Sequence, residues 1–395
     1  MTTPTRAGAG MGLADVVVVG GGISGTAAAY ELARYGVRVT LLEKGDLASM
    51  ASGWTLAGVR QSGRAPAELP LAMAAVRRWA TLGEELGADV EYRREGNLRL
   101  ARTPDEVPVI ARLVESQRGL GLPLELLADN RAVRAAAPAL AETVLAASYC
   151  PTDGHANPIV TVRAFAAAAE RHGATIRTGT EVTGIDAAGG RIQGVRTTAG
   201  PIAADGVVIA AGVHSDALCR MVGLTLPLTV RHAHIVQTVT LPSLVRQVLG
   251  VANADFAGRQ EVGGRFRMSG DAEPWRWPAG PLDDEAVQPP IRGVAAVLAR
   301  AVTIVPALAT AKVARVWGGL LDMTADALPV IEASPEIAGL VIAAGFSGHG
   351  FCLGPITGEV VATLVTGRQP SLPIEPFRRA RLEGRSAVAA PTLHG

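Results

Sequence analysis

The segment from Asp15 to Lys44 constrains the fold more than any other stretch of the chain. With its flanking residues it reads ADVVVVGGGISGTAAAYELARYGVRVTLLEKGD. Residues 16–19 are an unbroken valine run, typical of a parallel strand buried on both faces. A glycine turn follows, then a helix predicted over 24–35 and a second strand predicted over 37–42. This order of elements predicts an α/β unit of the kind that binds a dinucleotide.

Three glycines follow the first strand in the spacing G-x-G-x-x-G: Gly20, Gly22 and Gly25. The first permits the tight turn, the second lets the backbone approach a pyrophosphate, and the third lets the helix pack closely on the sheet. Glu43 stands 18 residues after Gly25, close to the spacing of a carboxylate that accepts hydrogen bonds from ribose hydroxyls. The alternative is a Rossmann unit without a ligand, which the acidic residue at the end of the second strand disfavours.

Composition limits the remaining possibilities. A chain of 395 residues exceeds one ordinary core, so we expect two domains. The formal net charge of +1 provides no general attraction to nucleic acid. Three cysteines without C-x-x-C spacing argue against a metal site or a disulfide framework. We find no signal-peptide pattern and no apolar run of about 18 residues, so we expect a cytoplasmic protein without a transmembrane segment.

The pattern of strand, glycine turn and helix recurs near the C-terminus, with a buried strand over 340–344, a turn over 345–350 and a helix over 356–366. Between the two ends the chain reads differently: two helical segments are predicted between 120 and 149, and a hairpin over 256–270. We predict a discontinuous cofactor domain (13–90, 148–226 and 316–395) and a substrate domain (91–147 and 227–315). A small antiparallel meander predicted before the strand at 206–211 points away from a plain nicotinamide dehydrogenase.

The segment GDLASMASGWTLAGVRQSGR at 45–64 is too rich in glycine and small residues for a continuous helix. We expect a loop over the cofactor, with Ser49, Ser52 and Gly53 near phosphate and an arginine facing the substrate. The alternative is a surface loop with solvated arginines.

Four segments carry a resemblance to a known family. They are the glycine motif with Glu43 and Lys44, the strand GVVIAAGVHS, the segment ADALPVIE, and AAGFSGHGFCLGPITGE. Together they resemble the D-amino-acid oxidase family of FAD enzymes. The branch that they resemble most is that of monomeric sarcosine oxidase, glycine oxidase and the β subunits of heteromeric sarcosine, proline, hydroxyproline and opine dehydrogenases. The resemblance implies an α/β (α+β) fold, with a glutathione-reductase-like FAD-binding Rossmann domain interleaved with a mixed-sheet substrate domain.

The resemblance also implies FAD contacts. The pyrophosphate would lie at Gly20, Gly22, Ile23, Ser24 and Gly25, the adenosine at Glu43, Lys44 and Val182, and a phosphate at Gly212. The isoalloxazine would be edged by Gly345, Ser347, Gly348, His349 and Gly350. The alternative for His349 is a small polar turn residue.

An amine oxidised by a flavin needs orientation and a neutral amine rather than a strong general base, and the sequence carries no Ser-His-Asp order or H-E-x-x-H motif. A substrate carboxylate would need an arginine at the flavin face. Candidates are Arg60 and Arg64 on the loop and Arg259, Arg265 and Arg267 on the hairpin; we favour Arg60 and Arg267. His232 and His234 share one face of a predicted strand. Three alternatives are open for this pair: core residues, a weak metal site or substrate contacts.

Three positions depart from the oxidases that the chain resembles. Cys352 follows GFSGHGF, where monomeric sarcosine oxidase has a substrate-binding lysine. The hairpin ends in RFRMSG without the lysine that activates oxygen there, and Lys44 and Lys312 are the only lysines of the chain. Pro158 stands where heterotetrameric sarcosine oxidases attach FMN to a histidine, and His155 is three residues away.

These observations predict an FAD-dependent dehydrogenase that oxidises the Cα–N bond of a secondary amine or D-amino acid. Its FAD would be non-covalent, and its partner would be a second flavoprotein or iron–sulfur subunit. The alternatives are a stand-alone oxidase that makes H2O2 and a subunit that holds FAD only for electron relay or assembly.

Overall fold

The computed structural model describes residues 15–278, 282 and 285–384. Within these residues the strands are β1 (Asp15–Val19), β2 (Arg38–Leu42), β3 (Gly58–Val59), β4 (Asn97–Ala101), β5 (Glu125–Leu127), β6 (Ala146–Cys150), β7 (Gly154–His155), β8 (Thr175–Arg177), β9 (Val182–Ala188), β10 (Arg191–Thr197), β11 (Gly200–Ala203), β12 (Gly206–Ile209), β13 (Thr229–Thr240), β14 (Val248–Val251), β15 (Phe256–Gln260), β16 (Arg265–Gly270), β17 (Glu273–Pro274), β18 (Val313–Met323), β19 (Val330–Ala333) and β20 (Leu340–Ala344). The α-helices are α1 (Ile23–Arg34), α2 (Ala51–Trp54), α3 (Leu69–Leu86), α4 (Glu106–Gly119), α5 (Asn130–Ala136), α6 (Pro158–Arg171), α7 (Ser215–Arg220), α8 (Ile291–Ile304) and α9 (Gly350–Val365).

The first sheet has the order β19-β20-β12-β1-β2-β8 and is parallel except for β19. Its central strand β1 is buried on both faces, as the valine run predicts. Helices α1, α6 and α9 pack together on one side of this sheet. The close packing depends on glycine, because a Cβ at Gly25 would lie 1.9 Å from the carbonyl oxygen of Gly20 and one at Gly358 would lie 2.7 Å from Ala27 Cβ. The predicted meander forms as β9, β10 and β11.

The second sheet has the order β17-β13-β16-β15-β14-β4-β6-β5, with β18 also paired to β13. It draws strands from both segments of the predicted substrate domain. Two strands extend past the predicted boundaries at 148 and 316, because β6 runs to Cys150 and β18 runs from Val313 to Met323. The predicted domain ends at 13–14 and 385–395 lie outside the described residues.

Three local predictions differ from the structure. Between 120 and 149 one helix, α5, forms instead of two, and residues 146–150 are a strand because they pair with β4 and β5. Tertiary pairing overrides the helix propensity of this alanine-rich stretch. The stretch YRREGNLRL at 92–100 alternates like a strand in sequence and predicts one from Tyr92, but the strand begins only at Asn97, after Gly96 with φ +94°. Helix α9 begins at Gly350, six residues earlier than predicted, and accommodates Pro355 in its first turns.

No described helix has both the length and the apolar character that a bilayer crossing requires.

Candidate cofactor and substrate site

A cavity of about 420 Å³ lies between the two sheets. Its floor is the carboxyl edge of the first sheet, where a parallel α/β sheet places its ligands. The loop 45–64 and strands β13, β15, β16 and β18 of the second sheet contribute the walls. The predicted site residues that line this cavity are Gly20, Gly22, Ile23, Ser24, Glu43, Lys44, Ser49, Ser52, Arg60, Val182, Gly212, Gly348, His349 and Gly350.

The strand order defines two ends of the cavity. The residues that follow β2 lie three inter-strand steps from the turn that follows β20, or roughly 14 Å at the usual strand spacing. We call these the Glu43 end and the His349 end. The glycine turn and the N-terminus of α1 lie between them, since both follow the central strand β1.

The loop residues Ser49 and Ser52 both line the cavity, and Ser52 reaches the N-terminus of α1. Ser52 Oγ accepts the N–H of Ile23 at 2.9 Å, and a Cβ at Gly22 would lie 2.9 Å from the same oxygen. Gly53 does not line the cavity. A Cβ there would lie 2.0 Å from the carbonyl oxygen of Ala48, so Gly53 allows the loop to pack closely on itself.

At the Glu43 end of the cavity, two backbone N–H groups bind the Glu43 carboxylate. Glu43 Oε2 accepts the N–H of Gly21 at 2.7 Å, and its Oε1 accepts the N–H of Gly45 at 2.8 Å. Both bonds fix the carboxylate at the cavity wall. Lys44 Nζ lies 3.0 Å from His214 Nε2, and burial together with the Lys44 charge lowers the pKa of His214 to about 4. His214 was not singled out from the sequence, although it is the penultimate residue of the segment GVVIAAGVHS.

The residues at the centre and at the Glu43 end fit a dinucleotide. The first turn of α1 supplies N–H groups and a positive dipole end for a pyrophosphate. A Cβ at Gly20 would lie 2.3 Å from the carbonyl oxygen of Ala210, so only glycine keeps this turn tight. Gly212 has φ +52° with open space beside it. The fixed carboxylate of Glu43 suits ribose hydroxyls.

The site residues predicted on the turn after β20 fall into two groups, those that line the cavity and those that do not. Gly348, His349 and Gly350 face the cavity. Gly345 and Ser347 do not line it. Both have positive φ, and Thr324 donates its N–H to Ser347 Oγ at 3.2 Å. Gly345 and Ser347 therefore shape the turn, and of the five residues predicted to edge the isoalloxazine only Gly348, His349 and Gly350 line the cavity.

His349 forms the centre of the His349 end. Its Nδ1 lies 3.1 Å from Oε1 of Glu68, a fully buried residue that precedes α3. His349 Nε2 has no hydrogen-bond partner. Burial and the nearby arginines lower the pKa of His349 to about 4 despite the opposing effect of Glu68, so the ring is neutral at pH 7. Burial opposes ionisation of Glu68, but the Arg64 charge and the hydrogen bond from His349 Nδ1 lower the pKa of this carboxyl below its usual value.

Five charged residues form a buried group beside this end, which we call the arginine cluster: Arg60, Arg64, Arg99, Glu68 and Asp153. Arg60 and Arg64 line the cavity. Arg64 Nη1 lies 3.7 Å from Glu68 Oε2 and has no hydrogen-bond partner. A Cβ at Gly63 would lie 3.0 Å from a guanidinium nitrogen of both Arg60 and Arg99. Burial and the neighbouring arginines lower the pKa of Arg60 to about 9 and, through Arg64, that of Arg99 to about 10.

Arg267 does not line the cavity, contrary to its predicted role in substrate binding. Its Nη1 donates to the carbonyl oxygen of Thr55 at 2.7 Å, its Nε lies 2.7 Å from Glu261 Oε1, and it stacks over Trp317. These three contacts hold the guanidinium beneath the loop. Arg265 is exposed.

Arg259 anchors the loop instead of binding a ligand. It is 2% exposed and donates to the carbonyl oxygens of Leu56 and Ala156, and its Nη1 lies 3.1 Å from His155 Nδ1. Because a guanidinium only donates, the Nδ1 of His155 must be unprotonated. His155 does not line the cavity, so this histidine is a structural link between the loop and the hairpin.

Cys352 also binds the loop. Its Sγ accepts the N–H of Arg60 at 3.2 Å, and burial raises the pKa of the thiol. It does not line the cavity.

The His232–His234 pair lies on β13 with ring centroids 4.7 Å apart. His232 Nε2 lies 2.8 Å from the carbonyl oxygen of Val287, and neither ring lines the cavity. Within the described parts of the chain, no group of three His, Cys, Asp or Glu side chains could hold a metal ion.

The buried neutral His155 predicts a pH dependence of stability. Burial and the Arg259 charge lower its pKa to about 3. Below pH 6.5 the unfolded chain binds a proton that the native chain does not, so stability falls as the pH falls, by up to about 1.4 kcal/mol per pH unit. His155→Gln should therefore reduce the loss of unfolding free energy between pH 6.5 and 5, measured by urea denaturation. The exposed His172→Gln should leave the loss unchanged; equal losses in His155→Gln and wild type would contradict a neutral His155.

Comparisons with a family model, with known sequences and with solved structures all match the chain to oxidoreductases. The family model DAO, described as FAD dependent oxidoreductase, matches residues 15–364. The glycine oxidase of Geobacillus kaustophilus (strain HTA426) is 31% identical over 383 residues, which cover 95% of this chain and 98% of that protein. The sarcosine oxidase subunit beta of Arthrobacter sp is 31% identical over 383 residues, covering 93% and 91%. The crystal structure of L-proline dehydrogenase from P. horikoshii superimposes with a TM-score of 0.86 at 30% identity, covering 94% and 98%.

Proposed function

The chain belongs to the DAO family of FAD-dependent oxidoreductases, and from this premise we propose that it oxidises the Cα–N bond of a carboxylated amine, either a secondary amine or an amino acid. The family and the fold class agree with the predictions made from the glycine motifs. The observation that carries the proposal is the pairing, in one cavity, of a dinucleotide cradle with the half-buried Arg60, the buried Arg64 and a neutral histidine. Bound FAD would supply the hydride acceptor for the α-carbon of the substrate.

The chain's own residues supply orientation at the His349 end. Arg60 and Arg64 would bind the substrate carboxylate, because guanidinium groups offer paired donors that match its two oxygens. Arg64 has a buried donor without a partner, and an unpaired buried donor is costly unless a ligand satisfies it. His349 would present its neutral Nε2 to the cavity while Glu68 holds Nδ1. Because the pKa of His349 is lowered to about 4, this imidazole would not take a proton from a substrate ammonium; the substrate would bind as its neutral amine, and Nε2 would accept a hydrogen bond from the amine N–H.

The cofactor domain that we propose comprises 13–90, 148–226 and 316–395, and the substrate domain 91–147 and 227–315. The first sheet and the glycine turns support the former, and the second sheet supports the latter, with β6 and β18 shared across the boundaries.

We also propose that the FAD is not covalently attached. Cys352 is buried and its sulfur is bonded to the backbone of Arg60, His155 is bonded to Arg259, and Pro158 begins α6. Precipitation of the purified protein with acid should therefore leave a colourless pellet and a yellow supernatant. A pellet that keeps the flavin absorbance after washing would disprove this.

The proposed electron acceptor is a partner subunit rather than oxygen. The relative named sarcosine oxidase subunit beta supports a heteromeric assembly. The hairpin Phe256–Gly270 carries no lysine, and Arg267 is held outside the cavity. The second candidate is a stand-alone oxidase, which the glycine oxidase relative favours.

These two candidates differ in one measurement. After anaerobic reduction, the isolated chain mixed with air-saturated buffer should recover its oxidised absorbance slowly, over minutes, with little peroxide. Complete recovery within seconds with stoichiometric H2O2 would identify an oxidase and remove the argument for a partner.

Turnover with an artificial acceptor tests the amine chemistry itself. The purified chain, an electron-accepting dye and a panel of N-methyl and primary amino acids should give dye reduction together with the carbonyl product of imine hydrolysis. His172→Gln, an exposed variant away from the cavity, should match wild type. Dye reduction by none of the amines, in protein with full FAD content, would refute the proposal.

A further inference from the structure

One end of the second sheet carries an exposed surface that combines apolar and basic side chains. We call it the hairpin-end surface, and its members are Val239, Val262, Arg265, Lys312, Val313 and Arg315. We propose that this surface docks an electron-accepting protein whose own docking face is acidic. The inference rests on the proposed function, because it assigns the place and the charge of the partner that would take the electrons.

Strand pairing brings together these six residues, which come from three separate segments of the chain. On one side of β13, the N–H of Val239 donates to the carbonyl oxygen of Lys312 at 2.9 Å. On the other side, Thr240 pairs with Arg265 of β16, and the Thr240 hydroxyl donates to the carbonyl oxygen of Gly263 at 3.2 Å. Neighbouring strands lie roughly 4.8 Å apart, so the six residues form one continuous surface.

The hairpin-end surface has apolar side chains among positive charges. Its apolar members are 36%, 48% and 45% exposed, in the order Val239, Val262 and Val313. Its basic members, Arg265, Lys312 and Arg315, are exposed as well. The neighbouring carboxylate of Glu261 lies 2.7 Å from Arg267 Nε and accepts a hydrogen bond from Gln237 Nε2 at 2.9 Å. Because Glu261 is engaged by these two residues, an acidic partner would supply the charge that complements the surface.

Two tryptophans connect this surface with the cavity. Trp54 lines the cavity, and Trp317 on β18 donates its Nε1–H to the carbonyl oxygen of Trp54 at 3.2 Å. The guanidinium groups of Arg267 and Arg315 lie over the Trp317 ring, 5.1 and 5.6 Å from its centroid. A continuous series of contacts therefore runs from the cavity wall to the exposed Arg315, where the acceptor would dock.

The composition of the hairpin-end surface fits a transient electron-transfer contact. Such contacts are small, and opposite charges on the two faces raise the association rate and orient the partners. A permanent subunit interface is broader and more apolar. Three exposed valines among three cations match the first type.

Two forms of one haem protein serve as probes, because succinylation replaces the lysine charges of cytochrome c by carboxylates. The bound FAD is first reduced with dithionite without oxygen, and either cytochrome is then added. Reoxidation of each FAD releases two electrons, which reduce two ferric haems to ferrous, and the flavin protons pass to the buffer. We expect the succinylated form to be reduced at least about 10-fold faster than native cytochrome c at low ionic strength. At about 0.5 M salt the difference should fall below about 3-fold, since exposed charges are then screened.

Binding provides a second readout that requires no electron transfer. Calorimetry on the protein with oxidised FAD should give succinylated cytochrome c a Kd at least about 10-fold lower than that of native cytochrome c. Combined replacement of the three basic members (Arg265→Glu, Lys312→Glu and Arg315→Glu) should abolish this preference in binding and in reduction, with FAD content unchanged.

The matched control makes the same change in net charge at exposed residues of α4 and α5. It combines Arg112→Glu, Arg118→Glu and Arg131→Glu and should keep the wild-type preference. Equal binding of the two cytochromes to wild type, or a preference that survives in the hairpin-end variant, would overturn the inference. Binding of phosphatidylglycerol vesicles without binding of succinylated cytochrome c would also overturn it, because the surface would then face a membrane.

Reduction by dithionite makes this test independent of amine oxidation. A chain that oxidises amines with dye but binds both cytochromes equally would refute the docking surface alone. A chain that prefers succinylated cytochrome c but oxidises no amine would refute the proposed substrate chemistry alone.

Discussion

Replacing Glu43 by alanine should yield a protein that purifies largely without FAD. The Glu43 carboxylate is fixed by the N–H groups of Gly21 and Gly45 at 2.7 and 2.8 Å, and we expect it to accept two hydrogen bonds from ribose hydroxyls. Bonds to a charged group contribute roughly 1.5 to 3 kcal/mol each. Loss of both corresponds to a rise in the Kd for FAD on the order of 10²- to 10⁴-fold. Flavin absorbance per protein and a titration with added FAD measure the effect.

Two further variants test whether the loss of FAD is due to the charge of Glu43. Glu43→Gln keeps the shape but loses the charge and should fall between wild type and Glu43→Ala. Asp46→Ala removes an exposed carboxylate three residues away and should retain full FAD. Full occupancy of Glu43→Ala at micromolar FAD would mean that another residue binds the ribose.

Replacing Arg60 by methionine should lower kcat/KM for the carboxylated amine by roughly 10²- to 10⁴-fold, the expected effect of losing a bidentate charge-assisted contact. Most of the loss should be in KM, because the carboxylate is bound in both the ground state and the transition state. Arg60→Lys should restore only part of the activity, since an ammonium keeps the charge but not the paired donors. Steady-state kinetics with a dye acceptor measure all three proteins.

Arg267→Met provides the contrast. Because Arg267 is held by Thr55, Glu261 and Trp317 outside the cavity, its loss should lower the stability of the folded protein while changing KM by less than Arg60→Met does. A larger KM effect in Arg267→Met than in Arg60→Met would reverse the assignment of the two arginines.

The cofactor half of the fold follows from local sequence. The valine run, the glycine spacing and the acidic residue after β2 lie within 30 residues of one another, so their structure depends on near neighbours. The bounds of α1 and β2 differ from the predicted ones by one residue. The predicted packing role of Gly25 is confirmed, because any Cβ there would collide with the backbone of Gly20.

The second sheet could not be predicted in the same way. Strand β4 pairs with β14, whose residues are about 150 positions later in the chain, and no local pattern specifies that partner. The same reason explains residues 146–150, whose sequence AASYC suits a helix until β4 and β5 pair with it. Non-local pairing thus decides the regions where the sequence pattern is ambiguous.

The substrate side of the site shows the same limit. Arg60 was identified because the glycine-rich loop had to lie over the cofactor. Glu68 and Asp153 were missed, because they are 85 positions apart in sequence and meet only around the folded loop. Arg267 was favoured beside Arg60, but it lies outside the cavity, where Glu261 and the carbonyl oxygen of Thr55 bind the guanidinium. Sequence spacing gives the face of a strand but not the partner that the side chain finds there.

The central claim is that this cavity oxidises a C–N bond, and anaerobic reduction of the bound FAD tests it most directly. The FAD-loaded protein is mixed with N-methylleucine or leucine in one series and with 2-hydroxy-4-methylpentanoate in another. The hydroxy acid keeps the carboxylate and the alkyl group but carries oxygen in place of nitrogen. We predict loss of the oxidised flavin absorbance with one equivalent of at least one of the amines and no loss with the hydroxy acid. Reduction by the hydroxy acid, with both amines inert, would contradict the account.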